Sequence, residues 1–110
     1  MLGSEIEIVT RMHRRFLTGF LDILILLKLR KSPLSGYDIM SYFPKRFNMV
    51  FSSGTVYSCL YRLERDELIK GELAQRKRVY TLTEKGNETV KTLLNMRDKI
   101  LGLLVSLFVD

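Results

Sequence analysis

The chain has little of what an active centre requires. Its 110 residues include one cysteine, Cys59, and one histidine, His13. One of each excludes an internal disulfide and a zinc site made of cysteine and histidine. No metal and no cofactor is expected. A thiol in a chain without disulfides fits a reducing cytosol, so the expected localisation is cytoplasmic. No nucleophile with an adjacent base, no paired-carboxylate setting and no glycine-rich phosphate loop is present. His13 stands beside Arg11, Arg14 and Arg15, as a surface histidine would, and Cys59 falls on an apolar arc. An enzyme is not expected. Long apolar runs are missing too. LDILILLKL and ILGLLVSLFV fall short of the roughly 18 apolar residues that a membrane span needs. Glu5, Glu7, Arg11, Arg14 and Arg15 interrupt any signal-peptide core near the start. There is no repeat, low-complexity tract or linker, and residues 1–110 read as a single domain.

What is present is apolar residues and positive charge. Apolar residues make up 46% of the chain, and the net charge is +6. A basic excess suits a polyanion, either nucleic acid or an anionic membrane surface. Residues 4–31 place Ile8, Val9, Met12, Phe16, Phe20, Ile23, Leu24 and Leu27 three or four apart, the period of one helix face. Gly19 bends or splits that helix. Ser32-Pro33 ends it. A second helix starts at Ser35, where Ser35 and Asp38 form a variant capping box. Pro44 ends or kinks it. A third helix runs over 52–66 with Ser52 as its N-cap. Leu68 to Leu73 and Val79 to Leu82 read as two short strands around a turn near Ala74-Gln75-Arg76. Thr83 caps a last helix over 84–108. Three helices and then a hairpin describe a winged helix-turn-helix: mainly α, with a small β-hairpin wing. The expected division is an N-terminal helix over 1–31, helix-turn-helix and wing over 32–82, and a C-terminal dimerisation helix over 83–110.

The third helix carries the functional signal. At about 100° per residue, Val56, Cys59, Leu60 and Leu63 share one arc. Gly54, Ser58, Tyr61 and Arg65 lie opposite, flanked by Tyr57, Thr55 and Arg62. This outer face is small at its first turn and long and basic later, which suits a helix that enters the DNA major groove by its N-terminus. Ser52, Ser53 and Gly54 let backbone approach phosphate. Hydroxyls and arginines read bases or hold phosphates. Arg76, Lys77 and Arg78 are placed to touch the neighbouring DNA backbone from the wing, with Arg76 and Arg78 on one face by strand alternation. The expected partner is double-stranded DNA. A winged helix used as a protein–protein module and a peripheral membrane-surface protein stay open as alternatives.

Three stretches, PLSGYDIM, SSGTVYSCLYRLERDELIKGE and RKRVYTLTEKG, resemble the PadR family of transcriptional regulators. Pro33, Gly36, Tyr37, Gly54, Thr55, Tyr57, Arg62, Glu64, Tyr80, Thr83 and Gly86 fall on that family's pattern. Ser53 stands where proline is common in it and Glu67 where glycine is. The resemblance implies a homodimeric repressor reading a palindromic operator, with control by small aromatic effectors in some members. A tryptophan-lined pocket of the kind some members use is excluded, because the chain has no tryptophan.

The last helix supports a dimer independently. Val90, Leu94, Arg97, Leu101, Leu104 and Phe108 follow alternating spacings of four and three, and residues 100–109 are apolar nearly all round. Phe16, Phe20, Val90, Leu94, Leu101, Leu104 and Phe108 are the expected interface. Phe16, Phe20, Leu93, Met96, Arg97 and Ile100 would line an effector pocket. The same residues also suit an ordinary filled core.

Overall fold

The computed structural model describes residues 2–109. Within them nine elements follow in order: α1 (Leu2–Gly19), α2 (Leu21–Leu29), β1 (Leu34–Ser35), α3 (Gly36–Phe47), α4 (Ser53–Arg65), β2 (Ile69–Ala74), β3 (Lys77–Leu82), α5 (Glu84–Asn95) and α6 (Arg97–Ser106). The strands form an antiparallel sheet in the order β1-β3-β2. This is the winged helix-turn-helix expected from the sequence, with three local differences.

The first helix splits next to Gly19, as one of the two expected outcomes there, with the Phe20 backbone at φ −110°, ψ 20°. The break lets α2 turn into the core while α1 projects away. Pro44 does not end the second helix. α3 continues through it to Phe47 and closes on Asn48 in the left-handed region, where the Asn48 N–H donates to the Pro44 carbonyl. β1 adds a strand to the expected hairpin: two residues carry no periodic signal, and only pairing with β3 defines them. The last helix is not continuous either. It breaks at Met96 (φ −98°, ψ 3°) into α5 and α6. Up to that point the core fixes its direction through Val90, which is buried. Beyond it no residue of α6 is buried, so nothing in the protomer holds it in line.

The core lies between α2, α3, α4 and the root of the sheet. Ile25, Ile39, Phe43, Val56, Leu60 and Ile69 are its most enclosed side chains. Phe43 meets Phe51 edge-on at 5.0 Å between centroids, which anchors the loop that feeds α4. The capping box at the start of α3 forms as expected. Asp38 N–H donates to Ser35 Oγ (3.1 Å) and Ser35 N–H donates to Asp38 Oδ2 (3.0 Å). The backbone donor of Ser35 holds the Asp38 carboxyl below its usual value.

α4 ends in two reciprocal bonds: Leu68 N–H donates to the Leu63 carbonyl and Glu67 N–H to the Glu64 carbonyl, both at 2.9 Å. This pattern needs a left-handed residue at its centre, usually glycine. Here it is Glu67, at φ 62°. The wing turn has the same character. Gln75 and Arg76 take φ values of 49° and 67°, the two positive angles of the tight hairpin turn that matches strand twist.

Candidate nucleic-acid interface

α4 owes its orientation to its apolar arc. Val56, Cys59, Leu60 and Leu63 are all buried, so the opposite arc is forced outward. Ser53, Gly54, Thr55, Ser58, Arg62 and Arg65 are exposed, and Tyr61 is the most open aromatic of the helix at 68%. Burial pushes the Cys59 thiol up from its usual value.

The first turn divides its work. Ser52 Oγ accepts from Thr55 N–H at 3.1 Å and lies 2.8 Å from Thr55 Oγ1. Those two hydroxyls therefore serve the cap. Ser53, Gly54 and Ser58 are the small groups left facing outward. Arg62 lines a cleft of about 560 Å³ with the capping Ser52, with Thr55 and Ser58 of α4 and with Thr18 and Asp22 on either side of the α1–α2 junction. Arg65 pairs loosely with Asp66 at 3.4 Å, and such an exposed pair contributes about 1 kcal/mol at most.

The wing is tied to α4 by charge. The Arg78 guanidinium donates to Glu64 Oε2 at 2.6 Å, and the Gly71 N–H approaches the same oxygen at 3.4 Å. The pairing holds Arg78 still further above its usual value and ties it to the side of α4. Arg76, in the turn, and Lys77, the first residue of β3, are exposed. The two faces expected from strand alternation do not describe this tip, because Arg76 belongs to the turn and only Lys77 and Arg78 belong to β3.

One contributor lies outside the residues expected to touch DNA. Tyr37, in the first turn of α3, is 70% exposed. It lines a groove of about 450 Å³ with Ser35, Gly36, Tyr57, Arg76, Lys77 and Arg78. Gly36 makes this groove possible. A Cβ there would lie 2.5 Å from the Tyr57 hydroxyl, so a larger residue would displace the Tyr57 ring from its place in the groove. The Gly-Tyr pair just before a capping aspartate is the signal the sequence offers for it. The start of α3, the outer face of α4 and the wing tip thus form one concave, hydroxyl-rich, basic surface.

The residues expected at a dimer interface divide. Val90 is buried inside the protomer and cannot also meet a partner; Leu94 is half-buried against the same core. They are the inward half of the seam. Leu101 and Phe108 are exposed, at 59% and 82%, and Leu104 is half-buried. Phe16 and Phe20 stack at 6.4 Å between centroids, with Phe16 exposed. Leu93 and Ile100 are half-buried, and Met96 and Arg97 are exposed. The six residues suggested for an effector pocket therefore lie toward open surface in the protomer. Among the described residues no helix is long and apolar enough to cross a membrane, and no cluster of three or more acids, histidines or cysteines could hold a metal.

Comparison with known proteins adds the family. No curated protein sequence matches the chain. Among solved structures, PadR of Bacillus subtilis in complex with operator DNA aligns with 32% identity over 67% of this chain and 46% of that one, at a TM-score of 0.62. The same Bacillus protein with p-coumaric acid aligns with 32% identity over 70% and 42%, at 0.57. This chain thus spans less than half of that relative's length. A PadR family regulator from Eggerthella lenta aligns over 96% of both chains with a TM-score of 0.77 and 21% identity, which shows the shared fold. A winged-helix DNA-binding protein from STIV aligns with 30% identity over 76% of this chain and 91% of that one, at 0.62. Residues 23–92 match the transcriptional regulator PadR-like family; that segment runs from α2 to α5 and contains the whole groove, and the chain belongs to this family.

Proposed function

We propose that the protein is a cytoplasmic, dimeric repressor that binds a palindromic operator in double-stranded DNA. The observation that carries this reading is the single concave surface made by α4, the start of α3 and the wing. α4 enters the major groove with Ser53, Gly54, Ser58, Tyr61 and Arg65 toward the bases, while Tyr37, Tyr57, Arg76 and Lys77 hold the backbone. Arg78 acts through Glu64 by fixing the wing against α4. The operator complex of the Bacillus relative supports the same partner for the matching segment. The exposed apolar sides of α1 and α6 would meet across a two-fold axis, placing two copies of α4 on successive major grooves.

The test is selection of bound duplexes from a random pool, then titration against salt. The expected product is an inverted repeat whose half-sites lie about 10 base pairs apart, or a multiple of that. With roughly six to ten phosphates neutralised per dimer, affinity should fall by about three to five decades between 50 and 200 mM salt. A flat salt response, or selected sites without symmetry, overturns the reading. For effector control, the reading is a filled interface and constitutive binding. The relative that takes p-coumaric acid is more than twice as long as the stretch it shares with this chain. A planar aromatic compound that bound at a hundredfold its dissociation constant would stabilise the fold by about 2.7 kcal/mol. A thermal-shift screen that finds one restores the pocket.

A further inference from the structure

Most of the basic excess lies away from α4 and the wing. Residues 52–82 hold six cations and four carboxylates, a net +2, whereas residues 23–50 hold five cations and one carboxylate, a net +4. That one carboxylate, Asp38, is engaged with Ser35 at the start of α3. The cations gather toward the other end. Lys28, Arg30, Lys31 and Arg46 line a cleft of about 250 Å³ between α2 and α3, walled by Tyr42 and Phe47. Among the described residues none of these four cations makes an ion pair. Lys28 and Arg46 lie in the last turns of their helices, where the dipole favours a cation. Arg30, the C-cap of α2, and Lys31 just beyond it add two more cations at the same helix end.

The cleft lies on the side of α3 that faces α2. On one flank Gly36 lies against Tyr57 of α4. On the other, Tyr42 lies beneath Lys28 of α2, with Nζ 4.2 Å from the ring centroid. Arg46 covers Phe47 in the same way at 4.9 Å, and Phe47 also stacks on Phe43 at 6.2 Å and meets the edge of His13 at 6.3 Å. Ring faces that already hold cations and neighbours are not free to stack bases. What the cleft offers is fixed positive charge, which suits phosphates and carries no sequence preference. This cleft shares no lining residue with the clefts along the outer face of α4, so the phosphates it holds need not belong to the duplex that α4 holds.

We propose that the α2–α3 cleft is a second phosphate-binding surface that takes the backbone of a second DNA duplex while α4 and the wing hold the first. The inference rests on the DNA-binding reading above. The test is a capture experiment with the full chain. A short selected operator duplex is immobilised, the protein is added, and a labelled duplex of unrelated sequence is supplied. The wild-type protein should capture it. The triple variant Arg30→Glu, Lys31→Glu, Arg46→Glu alters only exposed side chains, and its melting temperature checks the fold. It should keep its affinity for the short operator and lose capture. Removing three phosphate contacts should lower the salt slope of capture by about three. Wild type that holds the operator without capturing a second duplex overturns this inference and leaves the first reading intact. Undiminished capture by the triple variant assigns bridging to the two copies of α4 and overturns it too. Loss of short-operator binding by the variant places these cations on the reading surface and likewise overturns a separate second site. A wild-type chain that binds no duplex at all removes both readings.

Discussion

α4 and α6 are helices of similar length that treat their apolar residues in opposite ways. α4 buries Val56, Cys59, Leu60 and Leu63 and exposes its hydroxyls and arginines. α6 exposes Leu101, Leu103 and Val105, at 59 to 64%, and buries nothing. A helix with one apolar stripe can be completed by a single protein core, and its other face is then free for a ligand. A helix apolar nearly all round cannot be completed by one small core, and the uncovered remainder calls for more protein. α4 is finished within the protomer and α6 is not.

Substitutions can break or sharpen this contrast. The largest effect is expected at Leu60, which is 1% exposed. Leu60→Ala should lower the unfolding free energy by about 2–5 kcal/mol in denaturant melts. A loss below about 1 kcal/mol would mean that α4 is not anchored as described. Next comes Leu101→Glu, which should leave the protomer's secondary structure unchanged. It should weaken the dimer by about two decades, near 2.8 kcal/mol, because a carboxylate must lose water in an apolar seam. Light scattering that still reports a dimer at micromolar concentration would show that the partner covers some other face. Tyr61→Ala and Arg65→Ala should each reduce operator affinity by about 1–3 kcal/mol while the melting temperature holds. A fall in melting temperature without a fall in affinity would reverse the assignment of inner and outer faces. The smallest effect concerns how α4 ends. Glu67→Gly relieves a left-handed backbone without removing any contact of the core, and should stabilise the chain by about 1 kcal/mol. An unchanged melting temperature would mean that the Glu67 side chain compensates for its strain.

The same contrast explains what the sequence makes legible. The faces of α4 can be read because one periodicity decides both the buried and the exposed residues. So can Ser35, Ser52 and Thr83, whose hydroxyls cap α3, α4 and α5 as expected. The break at Met96 cannot. No proline or glycine marks it, and the spacing of the seam continues past it with only Arg97 interrupting its apolar residues; the bend follows from where the core stops. β1 is hidden for a related reason, since two residues become a strand only when β3 lies beside them. Tyr37 stands in a family-like motif, yet its place in the groove depends on the approach of α3 to α4 through Gly36, which no local pattern announces. The paired role of Arg78 depends likewise on Glu64, fourteen positions earlier.

The solitary thiol of Cys59 has a practical consequence. It lies beneath the reading face, 1% exposed and free of any disulfide. A thiol reagent can reach it only when α4 lifts from the core. The labelling rate is therefore a clock for that opening, set by the opening equilibrium when reclosing is fast. Because the chain contains no other cysteine, the signal needs no engineered probe and carries no background from a second thiol. Measured with and without DNA, the ratio of rates would give the coupling between grip on the groove and cohesion of the fold.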